Sequence, residues 1–172
     1  LEVLDSTKEE LFKSIEMNGL EKSRMSIFSA LLRLRQICCH PKLYDKENQL
    51  GINESGKFEH LQNMLEEIIS EHHRILLFSQ FVSMLDIISE WLNEKGIKHE
   101  YLSGKTQNRQ EVVDNFNNDP TIPIFLISLK AGGTGLNLTS ATNVIHYDLW
   151  WNPAVEDQAT DRTYRIGQDK NV

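Results

Sequence analysis

The chain is short of most features that would take it out of the ordinary globular class. No apolar run approaches the roughly 18 residues needed to span a bilayer, and the opening LEVLDSTKEELF lacks the basic-then-apolar layout of a secretory leader. An intracellular protein with no membrane partner is expected, in cytoplasm or nucleoid if the host is bacterial and in the nucleus if it is eukaryotic. Cysteine is nearly absent: Cys38 and Cys39 are the only two in 172 residues. Being adjacent, they are poorly placed for an ordinary disulfide, which agrees with a reducing compartment. With His40 they make three contiguous ligand types without a second cluster, which is not zinc spacing, so no metal site is expected there. An excess of positive charge is missing as well, the net charge being −7. A protein that holds nucleic acid by bulk electrostatics shows a basic footprint. Any such contact here has to be local, or shared with another polypeptide segment.

What is present suffices for one sizeable domain with an appendage: 40% of residues are apolar and 25% charged. Residues 1–45 read as helical. One segment carries Leu4, Leu11, Phe12 and Ile15, and a second runs through Ile27, Leu31, Leu32, Leu34 and Ile37 until Pro41 stops it, with MNGLEKS as the connector. DKENQLGINESG, from Asp45 to Gly56, has the polarity of a loop or boundary, and Ser55 is placed to cap a helix whose inner stripe is Phe58, Leu61, Met64, Leu65, Ile68 and Ile69. From Arg74 the period changes. RILLFSQF reads as a strand buried on both faces, followed by a helix from Val82 to about Lys95. The same grammar then repeats: a strand ending at Leu102, a helix from Gln107 to Asn117, strands at Ile122–Ser128 and Asn143–Tyr147, and a helix from Ala154 to Tyr164. Strands alternating with helices predict an α/β fold, a parallel sheet covered on both sides, over 46–172.

In such sheets ligands bind beyond the carboxyl ends of the strands. The residues at those ends are Ser79 and Gln80, Ser103 and Gly104, SLKAGGTGLNL from Ser128 to Leu138, and Asp148 to Pro153. Gly132, Gly133 and Gly135 free the backbone to expose successive amides to phosphate oxygens, although a tight turn needing positive φ would use glycine equally well. Lys130 precedes those glycines, and the loop lacks the terminal Gly-Lys-Ser/Thr of a P-loop. Trp150 and Trp151 suit either a hydrophobic wedge or a surface on which a base or sugar stacks. In DQATDRTYRIGQ, Gln158, Arg162 and Arg165 follow at steps of four and three, so one helical face carries an amide and two guanidiniums. Such a face suits phosphate, and an arginine brought to a nucleotide stabilises the charge of phosphoryl transfer. The alternative is a solvated pair, or one bonded to Asp157 or Asp161.

Five stretches, LRLRQICCHPKL, RILLFSQF, YLSGKT with Arg109, LISLKAGGTGLNLTSATNVIHYDLWWNP and EDQATDRTYRIGQ, resemble the carboxyl-terminal RecA-like lobe of the Swi/Snf family of helicase superfamily two. The resemblance covers Leu31 to Gln168. It implies a RecA-like sheet with an amino-terminal helical linker or protrusion at 1–45, and a double-stranded DNA translocase in which ATP and magnesium are held mainly by an amino-terminal RecA-like lobe. By resemblance, Arg162 and Arg165 are arginine fingers with Gln158 beside them, and Gly133 and Gly135 lie near the ATP cleft. Ser128, Lys130 and Ala131, together with Gln80, Ser103, Gly104 and Lys105, face the DNA backbone, and Trp151 approaches the duplex groove. No complete P-loop and no Asp-Glu magnesium box occurs. The expectation is a fragment, truncated at its carboxyl end, inactive in ATP hydrolysis alone, whose whole motor acts on a DNA-bound protein. A non-catalytic docking module and an RNA-helicase lobe are the rival expectations.

Overall fold

A computed structural model describes residues 2–45, 54–132 and 136–149. The chain forms two compact units, Leu1–Glu59 and His60–Val172. Among the described residues, no helix is long and apolar enough to cross a membrane.

The first unit is helical, as its apolar spacing predicts. It contains α1 (Glu2–Lys22), α2 (Arg24–Cys39) and the single turn α3 (Pro41–Tyr44). The connector expected at MNGLEKS is smaller than the sequence suggests. Helical backbone runs through most of it and is broken at two single residues: Gly19, whose φ of 75° an L side chain would resist, and Ser23 between α1 and α2. Ser23 is buried at this junction, where its hydroxyl donates to Ser14 O at 2.9 Å. Pro41 ends α2 as expected and opens α3 at the position where its missing N–H costs nothing. His40 caps that turn, its buried Nδ1 accepting from Lys42 N at 3.2 Å. Ser55 performs the predicted capping: its hydroxyl accepts from Phe58 N at 3.3 Å at the start of α4 (Gly56–Ser70) and also donates to Cys39 O.

In the second unit four strands, β1 (Ile75–Ser79), β2 (His99–Leu102), β3 (Ile124–Ser128) and β4 (Asn143–His146), form a parallel sheet in the order β2-β3-β1-β4. β1 lies between β3 and β4, with Ile75 opposite Ile124 and Asn143. Every side chain of β1 and β3 is buried, which is why their sequences read as continuous apolar runs. One face carries Leu76, Phe78, Phe125 and Ile127, packed with Leu102 and with Val113 and Phe116 of α6 (Arg109–Asn118). Alternation along the strands leaves Ile75, Leu77, Ile124 and Leu126 for the other face, where α5 (Val82–Glu94) supplies Met84, Leu85, Ile88, Trp91 and Leu92. This split follows from the connections. β1 to β2 runs one way across the sheet and β2 to β3 returns, so right-handed crossovers put their helices on opposite sides.

Arg74, just before β1, closes the amino-terminal edge. Its Nε donates to Ile122 O at 3.1 Å and its Nη2 to Phe116 O and Asp119 O, carbonyls at and beyond the end of α6 that the helix cannot satisfy. The guanidinium also lies 4.1 Å above the Phe116 ring. Replacing Arg74 with Ala removes a forked, charge-assisted contact, and a loss of about 2–3 kcal/mol in unfolding free energy is expected by urea denaturation. Arg74→Lys recovers little of it, because an ammonium cannot bond three separate carbonyls in one plane.

His40 adds a pH dependence. Burial, and secondarily the Lys42 charge, hold its imidazole pKa below the ordinary histidine value. A histidine that resists protonation when folded contributes stability that is present at neutral pH and is lost as pH falls below the unfolded value of about 6.5. Thermal denaturation is expected to show this loss in the native chain and not in His40→Asn, whose side chain caps the turn without titrating.

Candidate functional site at the carboxyl edge of the sheet

The central strands β1 and β3, buried on both faces, can place polar groups only at their ends, and here such groups gather at the carboxyl edge. Reading across that edge, β2 delivers Ser103, Gly104 and Lys105, β3 delivers Ser128 and then Lys130, β1 delivers Ser79 and Gln80, and β4 delivers Tyr147 and Asp148. Neighbouring strands are about 4.8 Å apart, so the ends of β2 and β1 fall within about 10 Å. The chain leaves β1 toward β2 and leaves β3 toward β4, in opposite directions. The crevice between them, where Ser79 stands opposite Ser128, is the switch point at which open α/β sheets bind ligands.

The site residues expected from sequence differ in what they offer. Lys105 and Lys130 are exposed, and Gly104 is exposed with open space where a Cβ would stand. Ser103 is buried and works inside its own turn, its hydroxyl accepting from Lys105 N at 3.3 Å and its N–H donating to Thr106 Oγ1 at 3.0 Å. It thereby aims Lys105 outward. Ser128 and Ala131 are buried too, with Ser128 Oγ accepting from Ala131 N at 3.4 Å. The expected loop after β3 begins instead as a helical turn, α7 (Leu129–Gly132), which lifts Lys130 to the surface while packing Leu129 and Ala131 beneath it. The glycines hid that turn from sequence reasoning, since glycine is a poor helix former.

Gln80 is half-buried. Its Nε2 is covered and has no hydrogen-bond partner among the described residues. Immediately after it α5 begins without a side-chain cap, so its first N–H groups are left to solvent or a ligand. The turn itself is held from β4: Gln80 N donates to Asp148 Oδ1 at 2.8 Å, and Ser79 Oγ donates to Asp148 Oδ2 at 3.1 Å. Asp148 and Thr106 are the contributors that sequence reasoning did not single out. The signal for Asp148 was a carboxylate directly after a strand, with a Ser-Gln pair directly after its neighbour.

Gly133, Gly135, Trp151, Gln158, Arg162 and Arg165 lie outside the described residues. Gly104-Lys105-Thr106 spells the end of a P-loop, but His99 stands where the first glycine belongs and the triad closes a turn rather than opening a helix. Among the described residues no three His, Cys, Asp or Glu side chains are placed to hold a metal ion. The donors at this edge, amide N–H groups, hydroxyls and two ammonium groups, match phosphate oxygens; they do not match magnesium, and Asp148 is already engaged.

The chain matches the helicase conserved C-terminal domain over residues 56–167. It is 44% identical to YwqA of Bacillus subtilis over 91% of this chain and 17% of that protein, and 39% identical to the human lymphoid-specific helicase over 86% of this chain and 19% of that one. It thus spans less than a fifth of the length of these relatives. The Sulfolobus solfataricus SWI2/SNF2 ATPase core, solved in complex with double-stranded DNA, superposes with a TM-score of 0.80 at 38% identity, covering 98% of this chain and 36% of that one. The parallel sheet expected from strand grammar is therefore RecA-like, and the chain belongs to the helicase C-terminal domain family as the second lobe of a Swi2/Snf2-type ATPase.

Proposed function

We propose that this chain is the second motor lobe of an ATP-dependent translocase on double-stranded DNA, with residues 46–172 as the lobe and 1–45 as a helical linker or protrusion. One observation carries the reading: Lys105 and Lys130 emerge along a single edge of the sheet, with half-buried Gln80 at the end of β1 beside them, where a phosphate backbone can lie. The same edge leads, after Asp148, into the segment containing Trp151, Gln158, Arg162 and Arg165. ATP and its magnesium belong mainly to a companion amino-terminal lobe. The two lobes would close on bound ATP, and hydrolysis of its γ-phosphoryl group would be followed by reopening. This chain's part is to bring Arg162 and Arg165 to the γ-phosphate with Gln158 beside them, to line the cleft with Gly133 and Gly135, and to keep hold of the duplex through Gln80, Lys105 and Lys130. Ser103, Gly104, Ser128 and Ala131 shape the turns that present those groups, and Trp151 approaches the groove. Such a motor moves along a duplex without parting its strands and displaces or remodels a protein bound there. A docking role is the second reading, favoured by Phe12, Met17, Leu20, Met25 and Phe28, which expose apolar side chains on the helices of the first unit.

In a motor that joins this lobe to its companion, Arg162→Ala or Arg165→Ala is expected to lower DNA-stimulated kcat by about 10³- to 10⁵-fold with duplex affinity nearly unchanged. Retention of stimulated hydrolysis favours the docking role, and stronger stimulation by RNA than by duplex DNA favours an RNA helicase.

The lysines have their own test. Each phosphate contact contributes about 0.9 to the slope of log affinity against log salt. The Lys105→Ala, Lys130→Ala double variant is expected to weaken duplex binding and flatten that slope by about 1 to 2. An unchanged slope, measured by fluorescence anisotropy across a salt series, removes both residues from the DNA contact.

A further inference from the structure

Asp148 stands just past β4 and is only 6% exposed. Its carboxylate reaches across to the end of the neighbouring strand, where Oδ1 accepts from Gln80 N at 2.8 Å and Oδ2 from Gln80 N at 3.2 Å and from Ser79 Oγ at 3.1 Å. Ser79 Oγ in turn accepts from Phe81 N at 3.1 Å. The three residues leaving β1 are therefore tied, directly or through one hydroxyl, to a single buried charge.

A buried carboxylate is an expensive way to hold a turn, because it must be taken out of water and is then compensated only by the donors it meets. What it gives in exchange is geometry: charge-assisted hydrogen bonds are short and directional, and two oxygens with three contacts leave the turn one backbone conformation. That conformation decides where the Gln80 amide goes and where the uncapped start of α5 points. Gln80 Nε2 is covered and has no partner among the described residues, a state that costs free energy and marks positions kept for something other than stability.

We propose that Asp148 is a positioning residue for the DNA contact: it fixes the turn that presents Gln80 to a backbone phosphate. The inference rests on the DNA-binding reading above and adds to it a residue that touches no ligand.

The test uses the complete two-lobe motor and a short mixed-sequence DNA duplex. Asp148→Ala is expected to weaken duplex affinity about tenfold or more, the effect of removing charge-assisted hydrogen bonds, and to speed hydrogen exchange of the Gln80 amide, while the amides of Leu77 and Leu126 in the central strands stay protected. In a Gln80→Ala background the same substitution is expected to cost no further affinity. Asp148→Asn, which keeps one oxygen for the Gln80 N–H, is expected to recover most of the binding. Equal losses with and without Gln80, or an unchanged Gln80 amide, overturn the positioning role and leave the DNA reading standing. No effect of Gln80→Ala on duplex affinity removes Gln80 from the DNA contact, and the positioning role goes with it.

Discussion

Burial of β1 and β3 on both faces is the constraint from which the rest of this lobe follows. All five positions of each of these strands are buried. Nothing polar can be carried along their length, because an unpaired polar side chain there would cost more than the strand can return. Polarity is therefore expelled to the two edges. At the amino-terminal edge Arg74 and the Asp119–Thr121 turn use it to finish α6, with Asp119 Oδ1 accepting from both the N–H and the hydroxyl of Thr121. At the carboxyl edge the same expulsion leaves serines, an amide, two lysines and a carboxylate beside one another. One edge is closed by its own contacts, and the other keeps Gly104, Lys105 and Lys130 exposed among the described residues.

The open edge is layered. Its buried members, Ser79, Ser103, Ser128 and Asp148, bond to backbone N–H groups or to one another and set the turns. Its exposed members, Lys105 and Lys130, stand on those turns with their charge in water. This division bears on how a chain of net charge −7 would meet the polyanion proposed for it. Lys105 and Lys130 stand at two strand ends next to directed N–H donors, so the proposed contact is local and depends on register more than on bulk field.

Much of this was legible in the sequence for simple physical reasons. ILLFS and IFLIS read as strands because a run of four apolar residues closed by a serine is too short for a buried helix, and that serine marks where polarity begins. Ser55 was readable as a cap because the hydroxyl precedes an apolar stripe at helical spacing. Other features were hidden. The breaks at Gly19 and Ser23 are each one residue wide, while the polar stretch around them suggested a continuous connector. The turn at Leu129–Gly132 runs against glycine's helix propensity and is imposed by packing of Leu129 and Ala131. Asp148 could be placed at a strand end but not assigned a partner, because pairing β4 with β1 is a fact of strand order that local sequence does not carry. The resemblance to a motor lobe added roles for Gly133, Gly135, Trp151, Gln158, Arg162 and Arg165 that spacing alone had left open.

The central claim is that the carboxyl edge of the sheet, and not its amino-terminal edge, is the face that meets DNA. A photo-crosslinking side chain placed at Lys105 in one version of the complete motor and at Thr121, exposed on the opposite edge, in another compares the two faces directly. Illumination with duplex DNA is expected to give a covalent protein–DNA adduct from position 105 that excess unlabelled duplex suppresses, and none from position 121. Adducts formed from position 121 in preference to 105 would contradict the account.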